Sequence, residues 1–275
     1  MTVEACAKVN LTLEVFSRRS DGYHALRSVV LPISLSDTLE IEDAAELSSD
    51  CDYPDDLCMR AAHALDPSRG ASIHVVKRIP VGGGLGGGSA DAAAVLLALN
   101  DLWKLGKTRD ELAEIGAQVG SDVPSLVLGG PVLMEGRGEK VRRLKGPAKD
   151  ALHLVVVNPG VFCSTSEVYS RCRSRLPNDA SIVYNMSQAL ESGDLKRISA
   201  AMMNDLQAPA VALHPEIASA MSVLRAAGAE GVSMSGSGST VFGLVPTEAR
   251  GREIAERLEA KGLWARSVRS VCPVV

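Results

Sequence analysis

One stretch limits what this chain can fold into more than any other. Ile79-Pro80-Val81-Gly82-Gly83-Gly84-Leu85-Gly86-Gly87-Gly88-Ser89-Ala90-Asp91-Ala92-Ala93-Ala94-Val95 places six glycines in seven residues directly before an alanine-rich helix start. Glycine takes positive φ and lets backbone N–H groups approach a ligand with no Cβ in the way. A helix starting there aims its unpaired N–H groups and the positive end of its dipole at the same spot. The pattern is an anion cradle, and phosphate suits it. It is not a Walker P-loop, because Gly88 precedes Ser89 where that motif needs Lys. Gly82, Gly84 and Gly87 satisfy Gly-x-Gly-x-x-Gly, but a dinucleotide site needs a second strand ending in Asp or Glu roughly twenty residues later. Asn100 and Asp101 stand there instead, inside a predicted helix over 91–105. The protein-kinase motifs Val-Ala-Ile-Lys, His-Arg-Asp and Asp-Phe-Gly do not follow. A flexible linker would lack Leu85 at its centre and a strong helix behind it.

The strand that opens the chain is the second constraint. Val9, Leu11, Leu13 and Val15 alternate with polar residues over 7–15, the period of a half-buried strand, which puts Lys8 and Asn10 together on the other face. Arg18-Arg19-Ser20-Asp21-Gly22-Tyr23-His24 reads as a turn with Asp-Gly at its tip. The next strand, 28–33, would then return Tyr23 and His24 toward the first. Further strands are predicted over 38–42 and 73–77, and helices over 57–65 and 109–119. The acidic run Cys51, Asp52, Asp55, Asp56 lacks the spacing and glycine of a calcium loop and reads as a solvated loop. Asp122, between Ser121 and Val123-Pro124, has the setting of a helix cap.

Composition removes whole classes of function. A net charge of −4 and 3% aromatic residues leave no basic stripe or stacking surface for nucleic acid. No apolar run approaches the roughly eighteen residues of a membrane span, and no signal peptide is evident, so a soluble cytoplasmic protein is expected. The six cysteines form no Cys-x-x-Cys pair and read as reduced thiols, and the five histidines form no zinc motif, so no protein-bound metal is expected. The oligomeric state is not legible.

Pro80 to Ala93 resembles the ATP loop of the GHMP kinases, the superfamily of galactokinase, homoserine kinase, mevalonate kinase and phosphomevalonate kinase, whose signature is Pro-x-Gly/Ala-x-Gly-Leu-Gly-(Gly/Ser)-Ser-(Ser/Ala). Ala7-Lys8-Val9-Asn10-Leu11-Thr12-Leu13 followed by Arg19-Ser20-Asp21-Gly22-Tyr23-His24 is similar to one branch, whose acceptor is a cytidine diphosphate-linked methylerythritol. Gly120-Ser121-Asp122-Val123-Pro124 and Ser235-Gly236-Ser237-Gly238-Ser239 resemble two further superfamily motifs, in family order.

The resemblance implies an α+β fold of two domains: a ribosomal-S5-domain-2-like α/β domain over 1–146 and a ferredoxin-like domain over 147–275. The predicted boundary lies in 144–150, where Lys145-Gly146-Pro147 interrupts the pattern. Beyond it, strands are predicted near 152–157, 231–234, 239–245 and 264–268, and helices near 194–204, 215–228 and 248–262. That is the ferredoxin-like order.

The resemblance also implies ATP and Mg²⁺, with Pro80, Val81, Gly82, Gly83, Gly84, Leu85, Gly86, Gly87, Gly88, Ser89 and Ala90 on the nucleotide and Ser89 touching phosphate or metal. Lys8 and Asp122 are the implied catalytic pair. Asn10, Tyr23, His24, Asp122, Tyr169 and Ser237 are implied on the acceptor, His24 on the cytosine. Where the branch has an aromatic residue after Asp-Gly-Tyr-His, this chain has Ser28-Val29-Val30, implying a base held between Tyr169 and an apolar face. Val123-Pro124-Ser125-Leu126 likewise departs from the usual Val-Pro-Phe-Phe. A kinase of the homoserine or mevalonate type and an inactive nucleotide-binding protein are the alternatives.

Overall fold

The computed structural model describes residues 1–51, 55–147, 151–175 and 181–271. Asp52, Cys272 and the 148–150 part of the expected domain boundary lie outside the described residues. Two long antiparallel strands, β1 (Thr2–Arg18) and β2 (His24–Ala44), form the centre of the first sheet. After them come β3 (Ser48–Ser49), α1 (Leu57–Leu65), β4 (Gly70–Val76), α2 (Gly87–Leu102), α3 (Arg109–Val119), α4 (Val123–Leu128), β5 (Val132–Gly136) and β6 (Lys140–Arg143). The rest of the chain supplies β7 (His153–Asn158), α5 (Thr165–Ser170), α6 (Ser181–Ser192), α7 (Leu195–Ala201), β8 (Met203–Asn204) and α8 (Gln207–Leu213). It closes with α9 (Glu216–Ala226), β9 (Glu230–Met234), β10 (Val241–Val245), α10 (Glu248–Glu259) and β11 (Trp264–Arg269).

The first sheet runs β3-β4-β2-β1-β8, with β5 on the N-terminal part of β2 and β6 on β5. The second runs β11-β7-β10-β9, antiparallel throughout, which is the ferredoxin-like strand order expected of this half. α2 carries buried residues on every side, from Ala90, Ala92 and Ala93 to Leu96 and Leu99, because it lies between the sheet and α1, α3 and α4. Alanine allows that close approach from both directions, and an all-round apolar helix belongs in a core. The sequence places the start of this helix at Asp91; it begins at Gly87, after Gly86 at φ +71°. Glycine is a poor helix former, so propensity hides a first turn kept bare for a ligand.

Three other expectations change. The predicted helix over 194–204 ends at Ala201, and Met203–Asn204 joins β1 as a parallel strand. The acidic run does not simply face solvent, since Asp56 caps α1 by accepting from the N–H groups of Cys58 and Met59. Most important, the polar side of β1 is as buried as the apolar one. Lys8, Asn10, Thr12 and Glu14 are all 4% exposed or less. Thr12 Oγ1 accepts from Val29 N at 3.0 Å, and Glu14 meets Arg27 Nε at 2.8 Å. Buried polar groups persist only when partnered, so this face carries structure rather than water.

Candidate active site

Two β-bulges aim the key side chains. The β1–β2 register shifts between Cys6 and Lys8 and again between Asn10 and Thr12, so the irregularities flank Lys8 and Asn10. Bulges re-aim side chains in this way near functional sites. Lys8 Nζ donates to Asn10 Oδ1 at 2.8 Å and to Gly84 O at 3.2 Å, and lies 3.3 Å from Asp122 Oδ2. All three ammonium protons therefore have an acceptor. Asn10 Nδ2 donates to Ser28 Oγ at 2.8 Å, and Ser28 Oγ donates to Thr12 O, which fixes the amide so that its oxygen faces Lys8.

Asp122 occupies the N-cap position of α4, but its side chain makes no capping bond. The capping expectation is corrected on this point. Ser125 Oγ, not the carboxylate, closes the turn onto Asp122 O, and the carboxylate is turned to Lys8. Ser89 is close by, its Oγ 3.8 Å from where a Cβ on Gly120 would stand.

The glycine loop is clamped from below by the second glycine-rich turn, which joins β9 and β10. Ser235 Oγ donates to Gly84 O at 2.9 Å, and Thr240 N donates to Gly83 O at 3.1 Å. Asn204 Nδ2 donates to Met234 O and Gly236 O, holding that turn in place from β8. A Cβ on Gly84, at φ +76°, would stand 2.2 Å from Ser235 O. Gly84→Ala should therefore add to the backbone strain of a positive φ, about 1–3 kcal/mol, a clash that forces the two loops apart. Thermal unfolding checks this against Gly160→Ala, where φ is also +76° but nothing lies within 4 Å. The Gly84 variant should unfold several degrees lower, at about 2–4 °C per kcal/mol.

These elements enclose a cleft of about 1200 Å³. Lys8, Asn10, Tyr23, His24, Asp122, Tyr169 and Ser237 all line it, as do Pro80, Val81, Gly82, Gly83, Gly84, Gly86, Gly87, Gly88 and Ser89. Leu85 and Ala90 do not line it. Both are buried in the core beneath the loop, where Leu85 O accepts from Lys8 N. Val30 is also corrected: it is fully buried in the sheet's core and offers no face to a ligand, and Leu13, Leu26 and Met134 provide the apolar lining.

Also in the lining of the cleft, the ring centroids of His24 and Tyr169 are 5.7 Å apart, inclined at 38°. His24 Nδ1 lies 3.0 Å from Phe16 O, a carbonyl that can only accept, so Nδ1 is the donor there and Nε2 takes no part in that bond. Burial, and then the charge of Asp122, push the Tyr169 phenol above its usual range. Tyr23 is exposed, with the Arg137 guanidinium 5.5 Å from its ring centroid. Ser237 Oγ lies 3.0 Å from Thr165 Oγ1. The sequence reading missed Thr165, Arg137 and the exposed Phe162, whose ring sits where a Cβ on Gly82 would go. No motif marks them, because each reaches the cleft from a segment distant in sequence.

The chain matches the family models of the GHMP kinases N terminal domain, over residues 56–130, and GHMP kinases C terminal, over 186–262. It is 39% identical over 270 residues to 4-diphosphocytidyl-2-C-methyl-D-erythritol kinase of Brevibacillus brevis, covering 94% of this chain and 92% of that one. The chain belongs to this kinase family. The 4-diphosphocytidyl-2-C-methyl-D-erythritol kinase of Bacillus cereus is 41% identical over 274 residues, covering 94% and 93%. A crystal structure of a 4-(cytidine 5'-diphospho)-2C-methyl-D-erythritol kinase matches over 100% of both chains, with a TM-score of 0.84 and 37% identity. Mevalonate kinase, at 18% identity and a TM-score of 0.70, shares the fold. The chain thus has the two-domain α+β fold of the GHMP kinases. Among the described residues, no helix is long and apolar enough to cross a membrane.

Proposed function

We infer that this protein transfers the γ-phosphoryl group of ATP to the 2-hydroxyl of 4-diphosphocytidyl-2-C-methyl-D-erythritol, a step of the non-mevalonate route to isoprenoid precursors. The observation that carries the reading is a single cleft lined together by the glycine loop, the Lys8–Asp122 pair and the His24–Tyr169 pair. Phosphoryl transfer asks a protein mainly for positioning, charge neutralisation and an activated hydroxyl. The free N–H groups at the start of α2, with the loop amides, receive the triphosphate. Asp122 takes the proton of the attacking hydroxyl. Lys8 pairs with Asp122 and faces the charge that develops on the transferred group. Asn10 keeps the ammonium in place through its hydrogen bond.

Mg²⁺ would arrive with ATP and neutralise phosphate charge. Among the described residues, no group of three or more His, Cys, Asp or Glu could hold a metal by itself. Such a site suits an ion carried largely by phosphate oxygens and water, with the Ser89 hydroxyl alongside. The division into units 1–146 and 147–275 belongs to the same reading, with the ATP loop in the first and the Ser237 turn in the second.

Nε2 of His24, the ring nitrogen not engaged by Phe16 O, suits a hydrogen bond to the cytosine, and Tyr169 offers the base a ring face. Stacking on an aromatic side chain is worth about 1–3 kcal/mol per base. Tyr169→Ala should therefore raise KM for the cytidyl acceptor roughly 5- to 150-fold, leaving KM for ATP near its original value. Steady-state kinetics with each substrate varied in turn checks it.

ADP release with Mg²⁺-ATP and the cytidyl acceptor, set beside homoserine, mevalonate and no acceptor, tests the reading as a whole. Turnover confined to the cytidyl acceptor is expected. Turnover on another alcohol, with none on the cytidyl acceptor, would overturn the substrate assignment, and ATP binding without any turnover would favour an inactive nucleotide-binding protein.

A further inference from the structure

Away from the Lys8–Asp122 pair, the two ends of the glycine loop meet at one ion cluster. Lys77 stands three residues before Pro80, and Asp91 two residues after Ser89. Lys77 Nζ reaches Asp91 Oδ2 at 2.6 Å and Asp37 Oδ2 at 2.5 Å. Asp37, on β2 and fully buried, also accepts from Ile79 N at 2.8 Å and from Arg78 N, so its carboxylate grips the strand exit that becomes the loop. Asp91 is 2% exposed, and its Oδ1 has no hydrogen-bond partner. Lys77 is thus the group that neutralises it.

The electrostatics are unusual for a lysine. Nζ lies 3.4 Å from where a Cβ on Gly87 would stand, at the positive end of α2, a place that disfavours a cation. The two carboxylates are what hold it there. They in turn would repel a triphosphate bound at the same helix end unless the ammonium screened them. Burial, more than any neighbour, pushes the Asp91 carboxyl up to about 7, with Lys77 acting in the opposite direction. One bridge therefore fixes loop geometry and removes negative charge from beside the loop.

We propose that Lys77, held between Asp37 and Asp91, fastens the entry and exit of the glycine loop and so positions it for the nucleotide, making Asp91 and Lys77 positioning residues for ATP rather than for the acceptor. The proposal rests on the reading of this loop as the ATP site. Asp91→Ala removes one anchor, and Asp91→Asn keeps an oxygen for Lys77.

The test measures Kd for ATP by calorimetry on the intact protein, and KM for each substrate, in both variants. Asp91→Ala should raise Kd and KM for ATP at least about tenfold, with kcat at saturating ATP and KM for the acceptor within about threefold of the parent. Asp91→Asn should stay within about threefold throughout. If Asp91→Ala does not fold, Asp91→Ser, too short to reach Nζ, carries the same expectation. An unchanged affinity for ATP in these variants, or equal rises in both KM values, would overturn the proposal. A parent protein that binds no ATP would overturn the reading of the cleft itself.

Discussion

Replacing Asp122 by Asn should lower kcat with the cytidyl acceptor by about 10²–10⁴, the usual worth of a positioned general base, and leave stability nearly untouched. The stability half of that expectation comes from local geometry. The Asp122 side chain makes no cap bond to α4, and the turn is closed by Ser125 Oγ, so the amide costs the helix nothing, and the fold loses only the negative charge facing Lys8 at 3.3 Å. It can still face Lys8, but it cannot accept a proton. The check is kcat beside a thermal unfolding curve. Near-parental turnover would remove Asp122 from the chemistry, and a fall in melting temperature matching the lost activity would make its role structural.

Lys8→Met should lower kcat by about 10²–10³, the effect of removing one preorganised donor from a transition state that gathers charge. Methionine keeps most of the packing of the buried lysine stem. It also leaves Asn10 Oδ1 without its donor, while Gly84 O keeps Ser235 Oγ, at a cost of about 1–3 kcal/mol for the buried acceptor left unmet. Some loss of stability is therefore expected here, unlike at Asp122. The double variant separates the effects. If Lys8 and Asp122 act as one unit, removing both should cost little more activity than removing either. Fully multiplicative losses would mean that the 3.3 Å pair does not function as a pair.

The motifs of the site were legible because their chemistry leaves dense local traces. A run of glycines before an alanine helix has few uses other than bringing backbone N–H groups to an anion. Asp21-Gly22-Tyr23-His24 could be read as a turn that returns to β1, and His24 does pair with Arg18 in the β1–β2 ladder. The second glycine turn was visible as a turn, but its partner was not. That it lies under Gly83 and Gly84 depends on contacts more than 150 residues apart in sequence.

The misreadings share a physical origin. Alternation along β1 suggested one wet face, yet Lys8, Asn10, Thr12 and Glu14 are buried on it and find partners on β1, on β2 and at the cleft. Periodicity records which residues share a face and says nothing about what lies opposite. Val30 was placed at the ligand by the resemblance alone, but its side chain is fully buried in the core. Lys77 and Asp91 passed unnoticed because a lysine before a loop and an aspartate within a helix are ordinary residues until the fold joins them.

The sequence alone determined which backbone could cradle phosphate, which strands and helices would carry it, and which residue types stood ready for proton transfer, since these depend on local conformation and on side-chain chemistry. Only the tertiary structure decided which side chains meet. The Lys8–Asp122 pair, the clamp of Ser235 on Gly84 and the Asp37–Lys77–Asp91 bridge each join segments that chain order keeps apart. Their energies depend on burial and on distances of a few ångströms, which no local pattern encodes.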